Sequence, residues 1–217
     1  MKRDILTKLI DKSQAYDSRE LRDYIGASTI GSDCLRQIWY EFVGTIAEDV
    51  PTKTRRTWEI GKRLEGLVHD WLDGAGVETV RRWHDLQSKN VEVFKGHVDS
   101  IWIKDSTLQA IIEIKTAKDA SFKVFVNKGL ALWNPQYYAQ VQAYMGMSGI
   151  HNTYILVLNK DNSELSDELV VFDSDFYKGL EDKALMVSRA VVAPPRINGS
   201  PLYFKCKMCK FNKVCHQ

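Results

Sequence analysis

Two stretches, residues 91–103 and 108–116, constrain this chain more than any other part of it. Both are strand-length, rich in β-branched and aromatic residues and separated by a polar turn, so they read as neighbouring strands. The first carries Gly96-His97-Val98-Asp99 and the second Ile111-Ile112-Glu113-Ile114-Lys115. Neighbouring strands let two carboxylates and a lysine converge. Glu113 and Lys115 are two apart and point to one face, while Ile111, Ile112 and Ile114 supply buried flanks. Hard oxygen ligands such as Asp99 and Glu113 suit Mg²⁺ or Mn²⁺. Such ions neutralise charge building on a phosphate and acidify a bound water, which Lys115 is placed to position. A lone Glu-x-Lys is ordinarily a surface ion pair, so the weight rests on the whole set.

The rest of the chain supplies helices for this sheet. Residues 4–23 mix Ile5, Leu6, Leu9 and Ile10 with charges at helical spacing, and Gly26 breaks the pattern. A second helix is expected over 32–42, capped by Ser28 or Ser32, with Pro51 closing the segment. Over 57–72 the apolar residues recur at three and four until Gly74 and Gly76, placing Glu65 and His69 on one helical face. A strand at 77–83 completes a meander with the first two. Helices over 120–128 and 134–147, strands over 153–158 and 168–172, and a last helix over 175–191 follow, with Pro194 and Pro195 ending it. This order predicts an α/β architecture, a mixed sheet flanked by helices. The 217 residues fit one domain, with an N-terminal helical segment (1–56), a core (57–193) and a tail (194–217).

Apolar residues make up 44% and charged residues 27% of the chain, ordinary globular usage that disfavours disorder and membrane classes. Nothing resembles an export signal, and the expected compartment is the cytoplasm. A net charge of +2 does not identify a nucleic-acid binder; local basic clusters such as Lys205, Lys207, Lys210 and Lys213 read first as solvated faces. The aromatics Trp39, Tyr40, Trp58, Trp71, Trp102 and Trp133 read as core rather than stacking platforms.

Four cysteines remain: Cys34, and Cys206, Cys209 and Cys215 spaced as Cys-x₂-Cys-x₅-Cys. In a cytosolic setting this favours a metal over disulfides, and four thiolates fit either tetrahedral Zn²⁺ or a [4Fe-4S] cluster.

Gly-His-Val-Asp99 followed by Glu113-Ile-Lys115 resembles the core of the PD-(D/E)XK nuclease superfamily, of the RecB and phage exonuclease kind. Pro135 to Tyr144 is similar to the helix bearing that group's Gln-x-x-x-Tyr signature, here Gln140 and Tyr144, and Gly61 to Glu65 resembles its first acidic motif. The resemblance spans about residues 24–217. It implies a restriction-endonuclease-like fold and a Mg²⁺- or Mn²⁺-dependent DNA nuclease, an exonuclease serving phage recombination, DNA repair or CRISPR adaptation with DNA and protein partners. It implies catalytic Asp99, Glu113 and Lys115, supports from Gln140 and Tyr144, and metal ligation by Asp99, Glu113, the Ile114 carbonyl and Glu65, with His69 second. His97 reads as a structural or substrate-side residue. The cysteine pattern resembles that of AddB and the CRISPR-adaptation exonucleases, which implies an iron-sulfur cluster, with Zn²⁺ and a substitute ligand in His216 as the alternative. Rival readings are a non-cleaving nucleic-acid-binding module and a zinc-stabilised interaction protein.

Overall fold

The structure, a computed structural model, describes residues 4–13, 22–104 and 107–217. Helix α1 (Ile5–Ser13) opens it, and the expected continuation over residues 14–21 lies outside the described residues. A two-residue strand β1 (Ile25–Gly26) follows, then a single turn α2 (Ala27–Ile30) and helix α3 (Leu35–Phe42). Sequence pattern misses β1 and α2, which are too short to show a period. Helix α3 starts three residues later than expected, at the Cys34 N-cap. The hydroxyl of Ser32 accepts the Cys34 N–H instead of capping the helix.

Helix α4 (Thr52–Gly74) begins five residues earlier than its apolar period suggests, because Pro51 fixes the backbone just before its first turn. Strands β2 (Thr79–Gln87), β3 (Phe94–Lys104) and β4 (Thr107–Ala117) form the expected antiparallel meander. Helices α5 (Asp119–Trp133) and α6 (Pro135–Ser148) then cross over to β5 (Asn152–Asn159), which lies parallel to β4. Strand β6 (Leu165–Val171) pairs antiparallel with β5, and helix α7 (Ser174–Arg189) ends ahead of the two prolines. The tail holds two helical turns, α8 (Phe204–Lys207) and α9 (Asn212–His216), which were not anticipated.

The described strands make one mixed sheet of six, ordered β1-β3-β4-β5-β6 with β2 on the other edge of β3. Helices cover both faces. On one, Val68 of α4, with Leu64 and Leu72, packs on Ile112, Ile114 and Leu158. On the other, a larger core joins Ile101, Ile111 and Ile155 to Phe122, Phe125, Val141, Met145 and Ala184 of α5, α6 and α7. Ile25, Ile30 and Ile38 belong to this same core. Trp58 and Trp71, expected inside, are 58% and 43% exposed on the outer side of α4. Among the described residues no helix is long and apolar enough to cross a membrane.

Candidate active site

The sheet splits where the chemistry was expected. The β3–β4 ladder runs from Lys104↔Thr107 to Ser100↔Ile112 and ends there, although both strands continue. Beyond it β4 stays paired with β5, while β1 takes up the same edge of β3 at Phe94 and Lys95. Residues 96–99 lie between the two partners, so Asp99 and Glu113 are the first residues past the fork. The Ser100 hydroxyl donates to the Ile112 carbonyl, 3.5 Å, which sets that carbonyl toward β3. By strand periodicity the Ile114 carbonyl points the same way, into the fork.

Alternation along β4 sends Ile112 and Ile114 toward α4, and therefore turns Glu113 and Lys115 toward α6. Glu113 is 1% exposed; its Oε1 accepts from Lys115 Nζ at 2.5 Å, and its Oε2 is buried with no partner among the described residues. Burial first, then the charges of Asp99 and Glu65, push the Glu113 carboxyl up to about 7 against the opposing pull of Lys115. Burial pulls Lys115 down, but the adjoining Glu113 overrides it and raises the ammonium above its usual range. Lys115 Nζ also lies 4.7 Å from the centre of the Tyr137 ring.

From the other layer, α4 presents Glu65 and His69. Burial and then Asp99 raise the Glu65 carboxyl, whereas burial and then Arg81 lower His69. His69 is 7% exposed, and its Nδ1 is a second buried atom without a partner among the described residues. Gln140 and Tyr144 on α6 are both buried, with Gln140 Nε2 donating to the Tyr144 hydroxyl at 2.7 Å. Burial and then the nearby Glu113 push the Tyr144 phenol upward. The fork thus admits groups from both helical layers. Among the described residues, no three His, Cys, Asp or Glu side chains converge closely enough to hold a single metal ion as they stand.

Sequence reasoning missed Tyr137, although it precedes Gln140 and Tyr144 by three and seven residues and so shares their helical face. A cluster at the open end of β3 was also unforeseen. His97 Nδ1 lies 3.0 Å from Asp85 Oδ1 and its Nε2 3.2 Å from the Tyr24 hydroxyl, with Arg22 and Lys95 both near the Tyr24 ring. His97 is therefore a partner of Tyr24 rather than a lone strand histidine.

The four cysteines sit elsewhere, around one cavity of about 50 Å³ that Arg36, Arg196 and His216 also line. Burial first, and then Cys34 and Cys215, raise the Cys206 thiol; Cys209 is raised in the same sense. Three of the four tail lysines meet carboxylates. Lys205 pairs with Asp33, Lys210 with Glu41 at 3.0 Å and Lys213 with Glu48 at 3.4 Å.

Residues 22–151 match the YqaJ-like viral recombinase domain family. No curated protein sequence matches the chain significantly. Among solved structures, an alkaline exonuclease from Laribacter hongkongensis is similar at a TM-score of 0.59 and 13% identity, over 83% of this chain and 90% of that one. The same enzyme in complex with dAMP gives 0.60 and 12% over the same shares. The protein SSO0001 gives 0.58 and 18%, over 97% and 96%. At such identities these likenesses concern the fold. The match over residues 22–151 takes in α4, the fork and α6, and on that ground the chain belongs to the YqaJ-like viral recombinase domain family, a PD-(D/E)XK nuclease family.

Proposed function

We propose that the chain is a Mg²⁺- or Mn²⁺-dependent exonuclease acting on DNA, with Asp99, Glu113 and Lys115 at its centre. The observation that carries this reading is the unbalanced negative charge at the fork. Burial and the charge of Asp99 raise the Glu65 and Glu113 carboxyls, and Lys115 is bonded to only one Glu113 oxygen. A divalent cation would relieve that repulsion, and hard carboxylate and carbonyl oxygens with one imidazole are a fitting donor set. Asp99, Glu113, the Ile114 carbonyl and His69 would hold it. His69 takes precedence over Glu65 as the ligand from α4, the reverse of the order the resemblance implies, because its buried Nδ1 has no partner among the described residues. When bound, the ion supplies Lewis acidity toward a phosphate oxygen and lowers the pKa of water. Lys115 orients the attacking water, and Tyr144, fixed by Gln140, supports the wall behind Glu113.

The test is digestion of end-labelled duplex and single-stranded DNA with Mg²⁺ or Mn²⁺. Wild-type protein should release 5′-phosphorylated products from ends and spare closed circles. Removing a supporting group around a metal typically costs about 10- to 100-fold. Asp99→Ala, Glu113→Ala and Lys115→Ala should therefore each lose at least about 100-fold with folding preserved. His69→Ala should lose more than Glu65→Ala. Undiminished cleavage by the first three variants would overturn the assignment.

We further propose that the four cysteines are ligands of a structural [4Fe-4S] cluster. All four cysteines line one cavity of about 50 Å³, and four thiolates are a donor set that fits the group. Anaerobically purified protein should be brown, with broad absorption near ~400 nm; colourless protein with one zinc per chain would replace iron-sulfur by zinc.

A further inference from the structure

Arg36 stands two residues after Cys34 in the first turn of α3 and lines the cavity with all four cysteines. One terminal nitrogen, Nη1, lies 3.9 Å from Cys215 Sγ, and Nη2 donates to the Ala193 carbonyl at 3.4 Å. The guanidinium carbon sits 5.8 Å from the centre of the Tyr40 ring. The partners of this cation are thus a sulfur, a carbonyl and an aromatic face. Each of the tail lysines 205, 210 and 213, by contrast, meets a carboxylate. Two buried nitrogens without partners among the described residues, Arg36 Nε and His216 Nε2, belong to residues lining this same cavity.

We propose that Arg36 is the charge-balancing and positioning residue of the four-cysteine centre, donating an N–H···S hydrogen bond to Cys215 and opposing the thiolate charge with its guanidinium. The proposal rests on the reading of the cysteines as metal ligands. Four thiolates around a dication or a [4Fe-4S]²⁺ core carry net negative charge, which a half-buried site must offset. Arginine serves because it stays protonated and its planar fork can donate to sulfur while keeping its other bonds. Hydrogen bonds to the sulfurs are also among the factors that set a cluster's potential.

The test compares wild type, Arg36→Lys and Arg36→Met, all full-length and purified without oxygen. Iron, sulfide and zinc are counted per chain, metal release to a chelator is timed, and for iron-loaded protein the midpoint potential is measured. Arg36→Met should release its metal at least roughly tenfold faster than wild type, the lower end of the usual effect of removing an outer-sphere partner. Arg36→Lys should fall between the two, and the potential should move to more negative values when the N–H···S bond is lost. A role confined to packing on Tyr40 and Ala193 would lower the unfolding temperature and leave the potential of the retained cluster in place. If Arg36→Met does not fold, Arg36→Lys decides, since it keeps the charge without the fork. Release and potential equal to wild type in the folded variant overturn the role of Arg36 while leaving the centre intact. Wild-type protein without iron or zinc overturns the metal reading itself, and this proposal with it.

Discussion

At the scale of single residues, Gly96 shows how little room the fork leaves. A Cβ there would stand 2.8 Å from Tyr144 Cε1 and 2.9 Å from the Ala27 Cβ. Tyr144 cannot yield freely, because its hydroxyl is bonded to Gln140. Overpacking of this kind typically costs about 1–3 kcal/mol. Gly96→Ala should therefore lower thermal stability by that amount and slow DNA cleavage, read by calorimetry and end-label release; an unchanged unfolding temperature would mean that the ring moves aside. The sequence displayed that Glu113 and Lys115 share a strand face and that Gln140 and Tyr144 share a helical face, because spacing alone decides both. It did not display the role of Gly96 or the tie between His97 and Tyr24. Those depend on which distant segment enters the gap, and residues 22–27 are joined to β3 only in three dimensions.

At the scale of elements, α6 carries Tyr137, Gln140 and Tyr144, the first of them beside Lys115. Asn134 caps it, its side-chain oxygen accepting the N–H groups of Gln136 at 3.1 Å and Tyr137 at 3.2 Å, while Pro135 fixes the first turn. Loss of such a cap costs about 1 kcal/mol. Asn134→Ala should reduce stability by that amount, measured by urea unfolding, and should loosen Tyr137 over Lys115, whereas Asn134→Ser should retain most of it. Long elements were legible: α4, the meander, α6 and β5 follow from apolar period and flanking proline or glycine. The short ones were not. Two residues in β1 or four in α2 and α8 are too few to carry a period, and contacts made across the fold decide their conformation.

At the scale of the molecule, the tail is bound to residues 33–48 by ion pairs and hydrogen bonds. Besides the three lysine pairs, the Glu48 N–H donates to the Lys210 carbonyl at 2.7 Å and Glu48 Oε1 accepts from the Lys213 N–H at 2.8 Å. That backbone hydrogen bond, the largest cause, holds the Glu48 carboxyl below its usual range. A carboxyl depressed on folding adds stability above its unfolded pKa, about 4.3, and the contribution disappears as pH falls through the lower folded value. Amide exchange at Lys213 should therefore be slow near neutrality and accelerate more than the intrinsic rate predicts below about pH 4, an effect that Glu48→Gln should largely remove. Exchange insensitive to that substitution would mean that other contacts hold the tail.

The separation in sequence between residues 33–48 and their partners also imposes an order of events during translation. A ribosome releases the chain from its amino end, so β1 to β6 can assemble while residues 204–217 are still unmade. Until then Asp33, Glu41, Glu48 and the Cys34 thiol wait without their eventual neighbours. The joint between the two regions is accordingly the last part of the molecule to close, and a nascent chain that stalls before Cys206 leaves it open.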